Sequence, residues 1–170
     1  MRNAYRGPMR LRALITVLAV IGMVAAGCGW KPPGSPPAPP DTCSPSDGPA
    51  SATVSAAIAA LPLPPGGESW HEVGDGHTTN CRLYWVQVSG GGAPDALQHV
   101  LFFDHNTSVG TATPNPRPYT TVVRSGTETV TVQYQWQQAN DEPGKPTGIG
   151  VVRYELGPDG KIKALDPVPG

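Results

Sequence analysis

His71-Glu72-Val73-Gly74-Asp75-Gly76-His77 places two imidazoles and two carboxylates within seven residues. Such a set could hold a metal ion and activate water. A zinc-protease helix needs its two histidines at i and i+4 on one face, with Glu beside the first. Here they stand at i and i+6 with two glycines between them, so no helix forms and that mechanism fails. What remains is a polar loop or a loop metal site. His99 and His105 are again six apart, on the period-2 face that carries Leu101 and Phe103. Asp104 beside His105 suggests part of a catalytic triad. Adjacent strand residues face opposite ways, however, and no Gly-x-Ser-x-Gly elbow supplies a nucleophile. Ser108 and Ser125 sit in turn contexts. Gly90-Gly91-Gly92 lacks the Lys-Ser/Thr that a phosphate cradle requires and reads as a flexible connection. Asn106-Thr107-Ser108 has the form of a glycosylation sequon.

The cysteines carry more. Arg2, Arg6, Arg10 and Arg12 form a basic N-terminal region, and an apolar run follows from Ala13 to Ala26. Ala25-Ala26-Gly27 then leads into Cys28. This is the order of an export signal, and a cysteine after small residues at the cleavage point makes it a lipobox. Ala25 stands where such signals prefer Leu. The Cys28 thiol takes a diacylglycerol, residues 1–27 are removed, and Cys28 becomes the acylated (palmitate-type) first residue. One acyl chain gives only marginal binding at about 0.8 kcal/mol per buried CH₂, whereas two or three hold firmly. The apolar run is short of the ~20 residues of a spanning helix.

Cys43 and Cys81 then remain, 38 residues apart. In an exported, oxidising compartment an even pair is most simply a disulfide. The alternatives are two free thiols or a metal site, and the latter lacks any nearby CxxC or CxxH.

Processing leaves 143 residues, with eight basic against thirteen acidic and a formal charge of −5. That length suits one domain and a tether. Arg82, Arg117, Arg124, Arg153, Lys161 and Lys163 form no run, so the domain has no electrostatic footprint for nucleic acid. Six of the nine residues from Pro32 to Pro40 are proline. Residues 28–42 therefore read as a Pro-rich tether, of which the stretch from Trp30 to Thr42, extended at about 3.1 Å per residue, could hold the domain up to ~40 Å from a bilayer.

The domain is expected over residues 43–170. Ser51 or Thr53 can cap a short helix, in which Val54, Ala57, Ile58 and Leu61 make one apolar stripe. Pro62 and Pro64-Pro65 end it. Residues 66–80 read as a loop with a brief strand near Trp70–Val73. Strands are expected at 82–88, 98–105, 119–124, 149–156 and 161–165, with the clearest alternation at 129–136. There Val130, Val132, Tyr134 and Trp136 share a face opposite Thr129, Thr131, Gln133 and Gln135. The expected fold is α+β: a short N-terminal helix packed on the concave face of one curved antiparallel sheet of about five or six strands, with one disulfide. Trp70, Trp85, Trp136, Tyr84, Tyr119 and Tyr134 should be mostly core, unless a subset lines a ligand-binding concavity.

Certain residues occur in a familiar order: the lipobox cysteine, the Pro-rich stalk, a cysteine before an Ala-rich helix, Trp70 and Asn80-Cys81. Leu83-Tyr84-Trp85-Val86, Leu101-Phe102-Phe103, Val109-Gly110-Thr111-Ala112 and Thr129-Val130-Thr131-Val132-Gln133-Tyr134 follow. Val152-Arg153-Tyr154 and Leu165-Asp166-Pro167-Val168-Pro169 close the chain. This order resembles the LppP/LprE lipoprotein family of mycobacteria and related actinobacteria over Cys43 to Pro169. The resemblance implies an envelope-anchored lipoprotein with a paired-cysteine domain. The family has no assigned biochemical activity, so no catalytic residues carry over. Cys43, Cys81, Trp85, Gly110, Tyr134 and Tyr154 read as structural.

Three functions are consistent with these residues. The first is a non-enzymatic, membrane-anchored module on the extracytoplasmic face that engages an envelope or host protein, with no cofactor. The second is a carrier of a small apolar or glycan ligand in the sheet concavity. The third is a metal-assisted hydrolase using His71, Glu72 and His77. A filled core favours the first and a deep aromatic-lined cavity the second. Convergence of His71, His77 and a third ligand within ~4–5 Å would favour the third.

Overall fold

The computed structural model describes residues 40–66 and 69–169. The signal segment 1–27, the acylation site Cys28 and the tether up to residue 39 lie outside the described residues.

One helix and eight strands follow in chain order: α1 (Ser51–Ala59), β1 (His71–His77), β2 (Leu83–Ser89), β3 (Gln98–Asp104), β4 (Thr107–Thr111), β5 (Thr120–Ser125), β6 (Thr129–Trp136), β7 (Gly148–Leu156) and β8 (Ile162–Ala164). The strands form two four-stranded antiparallel sheets, β1-β2-β3-β4 and β5-β6-β7-β8. The single curved sheet expected from the sequence is therefore corrected to two sheets, and the fold is mostly β.

Side-chain parity dictates the layering. Leu83, Val100 and Phe102 of the first sheet meet Val130, Val132, Tyr134, Val152 and Tyr154 of the second in one fully enclosed cluster. Each such side chain stabilises the fold by about 1.5–3 kcal/mol relative to exposure. Tyr84, Val86, Val88, Leu101 and Phe103 occupy the opposite face of the first sheet, together with Trp70. That face is covered by Val54, Ala57, Ile58 and Leu61, the stripe expected of the helix. The first sheet is thus the middle layer between α1 and the second sheet. This is why β3 is buried at five consecutive positions, His99 to Phe103. A strand buried on both faces reads as a continuous apolar run.

Polar bonds tie the two sheets together. Trp85 Nε1 donates to Ser125 Oγ at 2.9 Å. Gln87 Nε2 donates to Thr120 O at 2.9 Å while its Oε1 accepts from Val122 N at 3.2 Å. Inside the core, the hydroxyls of Tyr134 and Tyr154 pair at 2.8 Å. Burial pushes the Tyr134 phenol far above its ordinary range, and the Tyr154 hydroxyl bonded to it adds to the rise.

The start of α1 is capped from outside the helix. Neither Ser51 nor Thr53 supplies a cap through its own side chain at the N-cap position, which is Ala50. Instead Asn106, in the turn between β3 and β4, uses its Oδ1 to accept from Ala50 N at 2.8 Å and from Thr53 Oγ1 at 2.7 Å. The residue that looks like a sequon asparagine docks the helix onto the sheet.

Candidate functional site

The acid and imidazole cluster lies on a strand. β1 pairs with β2 in the register His71↔Ser89, Glu72↔Val88, Gly74↔Gln87, Asp75↔Val86, Gly76↔Trp85 and His77↔Tyr84, with a bulge at Val73. A bulge inserts one residue and switches side-chain parity. Glu72, Asp75 and His77 therefore share the face of Val88, Val86 and Tyr84, beneath the helix. His71, Gly74 and Gly76 take the other face. The expected loop with a brief strand near Trp70–Val73 is corrected to an edge strand over His71–His77.

This geometry separates His71 from His77, so the set His71, Glu72 and His77 does not converge. Among the described residues, the metal-type donors that do converge are Asp41, Cys43 and His77, all within 4.8 Å. The Cys43 sulfur is bonded to Cys81 and is not available as a thiolate ligand. His77 is instead engaged structurally: Nε2 lies 3.1 Å from Asp41 Oδ2 and Nδ1 lies 3.1 Å from Thr78 O. Asp41 also accepts from Cys43 N at 2.9 Å. That backbone bond, joined by the His77 contact, holds the exposed Asp41 carboxyl below its ordinary range.

The second histidine pair also separates. His99 is buried in the face of Leu101 and Phe103, with its ring 5.3 Å from Trp70. Its Nδ1 has no partner. Burial holds its pKa below the ordinary histidine value of 6.5. His105 is not in the strand at all. It takes a left-handed turn conformation, φ 50°, and this swings its Nδ1 to 2.8 Å from Asp104 Oδ1. The expectation that Asp104 and His105 point apart is thereby corrected. No hydroxyl or thiol is bonded to His105 among the described residues. Ser125 is occupied by the Trp85 indole, and Ser108 is exposed on β4.

The space between the sheets is filled by the core cluster, and the cavity at its margin, lined by Asn80, Arg82, Leu83, Glu128, Glu155 and Leu156, measures about 100 Å³. A cleft of about 500 Å³ lies on the helix side instead. One wall is the segment from Asp41 to Pro49 together with Val54, Ser55 and Ile58 of α1; the floor is Glu72, Asp75, His77, Tyr84 and Val86. Three ties hold the wall in place: the Cys43–Cys81 disulfide, the Asp41–His77 contact and the Asn106 cap. Tyr84 lies under Gly48, only 7% exposed, and its hydroxyl has no partner. Burial raises its pKa, and the Asp47 and Asp41 carboxylates raise it further. The parity switch at Val73 is what hides this floor from a sequence reading. Only the pairing of β1 with the Tyr84-Trp85-Val86 run could have exposed it.

The six residues singled out by resemblance all have visible packing or backbone roles. Cys43 and Cys81 are bonded, with Cα atoms 5.4 Å apart. Trp85 ties the sheets, Tyr134 and Tyr154 pair in the core, and Gly110 holds φ 115° at a bulge in β4.

A family profile described as LppP/LprE lipoprotein matches residues 75–159. Proteins named lipoprotein LppP from Mycobacterium bovis and from two Mycobacterium tuberculosis strains, CDC 1551 and H37Rv, are each 51% identical to this chain over 151 residues. The aligned part covers 88% of this chain and 86% of each relative. No solved structure matches the chain.

Proposed function

Because the chain belongs to the LppP/LprE lipoprotein family, we propose that acyl chains on Cys28 hold it to the outer face of the cell membrane and that its domain is a non-enzymatic interaction module of the cell envelope. The observation that carries this reading is the position of Cys28 behind a basic and then apolar N-terminal segment in a lipoprotein-family chain. The Cys43–Cys81 disulfide supports it, because disulfides persist in oxidising compartments outside the cytoplasm. The polar residues best suited to chemistry are taken up in structural bonds: His77 with Asp41 and Thr78, His105 with Asp104, Ser125 with Trp85. The mature domain carries net negative charge and works without nucleic acid.

Fractionation of cells expressing Cys28→Ala tests the anchor. The unaltered protein enters the detergent phase, while the variant is released to the soluble fraction or accumulates with its signal attached. Normal detergent partitioning of the variant would end the proposal.

A further inference from the structure

Where β1 ends, the chain gathers more ligand atoms than its disulfide uses. One donor atom from each of Asp41, Cys43 and His77 lies within 4.8 Å of the other two. Cys81 is bonded to Cys43, so a fourth donor stands beside the set. His77 Nδ1 lies 3.1 Å from Thr78 O, and its Nε2 lies 3.1 Å from Asp41 Oδ2. A neutral imidazole has one N–H, yet both ring nitrogens face acceptors. One of the two contacts therefore needs a cation on the ring, either a proton or a metal ion. The outer contacts of a metal site are already in place. With Nδ1–H donating to the Thr78 carbonyl, Nε2 presents its lone pair. With Oδ1 accepting from Cys43 N at 2.9 Å, Asp41 presents Oδ2. A nitrogen and an oxygen on one tetrahedral zinc stand about 3.3 Å apart, near the 3.1 Å between Nε2 and Oδ2. A hollow lined by Pro40, Asp41, Thr42, His77 and Thr79 gives an ion a way in from solvent.

We propose that Asp41, Cys43, His77 and Cys81 form a zinc site when the disulfide is reduced, so that one cluster holds either a sulfur bridge or a divalent metal. Two thiolates, an imidazole and a carboxylate are a donor set suited to tetrahedral zinc. A dithiol reductant supplies two electrons and two protons and itself becomes a disulfide, while Cys43 and Cys81 become thiols. Zinc then takes both sulfurs as thiolates, and their two protons pass to solvent. Two thiolates on one zinc stand about 3.8 Å apart, a spread that side-chain rotation allows from Cα atoms 5.4 Å apart. The inference goes beyond the proposed function and is independent of Cys28.

The test uses the full-length chain with Cys28→Ser in nonionic detergent, so that Cys43 and Cys81 are the remaining cysteines. A phosphine opens the bridge, taking the oxygen of one water and leaving two thiols. Cobalt(II) is titrated first, as a coloured stand-in for zinc. The reduced protein should take up one equivalent with the intense visible bands of tetrahedral cobalt and sulfur-to-metal charge transfer in the near ultraviolet. One equivalent of zinc should then bleach both. Zinc should also raise the melting temperature of the reduced protein and leave that of the oxidised protein unchanged. His77→Ala and Asp41→Ala should each weaken cobalt binding at least about tenfold, whereas two cysteines acting alone would depend on neither residue. Absence of a tetrahedral cobalt spectrum in the reduced protein, the same spectrum in the oxidised protein, or an unaltered affinity in either variant would overturn the assignment. Each of those failures would leave the Cys28 anchor standing.

Discussion

Trp85 lies flat across Gly76, its direct cross-strand partner, so closely that a Cβ on Gly76 would stand 2.8 Å from the indole. Gly74 lies beneath the same ring. The second sheet repeats the device: Trp136 is paired with Gly148 and also lies over Gly150. An aromatic ring that covers a strand glycine replaces the packing that residue lacks. A Cβ on Gly148 would come within 2.5 Å of Trp136. Gly148→Ala should therefore destabilise the fold by about 1–3 kcal/mol, the usual range for overpacking. Gly92 has open space around it, and Gly92→Ala should stay within about 0.5 kcal/mol of the unaltered protein. Urea unfolding of the two variants side by side gives the comparison.

The disulfide closes a sequence separation of 38 residues. The chain-entropy account of such a loop gives about 3–4 kcal/mol of stabilisation. Cys43→Ser with Cys81→Ser should lower the urea midpoint accordingly. Non-reducing peptide mapping of the unaltered protein should recover the two cysteine peptides joined.

Asn106 anchors the start of α1 through two bonds to one oxygen. Asn106→Ala should cost about 1–2 kcal/mol, as for other lost helix caps. Hydrogen exchange should rise first in Ser51–Ala59, ahead of the sheets. Uniform loss of protection across the molecule would contradict this local role.

His99 sets a pH dependence whose sign follows from its burial. The unfolded chain takes up a proton near the ordinary value of 6.5, while the folded chain resists doing so until lower pH. The unfolded state therefore binds more protons in that window, and stability falls as pH drops below 6.5. His99→Phe keeps an aromatic ring against Trp70 and removes the titration. Thermal melts between neutrality and about pH 5 should be flatter for that variant. Parallel pH profiles would show that His99 is not the responsible group.

The sequence reveals the fold only where one element decides its own environment. The α1 stripe and the alternation of β6 are self-contained, and both occur as expected. β1 is not self-contained, because its glycines favour a loop until a tryptophan on the next strand covers them. β4 carries one bulky residue, Val109, and is held as an edge strand by pairing with β3. With β1 read only as a brief strand near Trp70–Val73 and β4 unrecognised, the run through Val100-Leu101-Phe102-Phe103 reads as one strand of a single sheet rather than the centre of a layered domain. The cleft was illegible for the same reason. Its acidic residues reach one face through a bulge at Val73, and a bulge has no mark in a single sequence.

The bond between Cys43 and Cys81 also decides how the molecule bears a load. A pull on the chain ahead of Cys43 crosses the sulfur bridge into the turn that opens β2, bypassing everything from Ser44 to Asn80. Helix α1 lies off the covalent path of that pull, while the Asp41–His77 contact passes part of it into β1 at the cleft and the antiparallel rungs of the middle sheet share the rest.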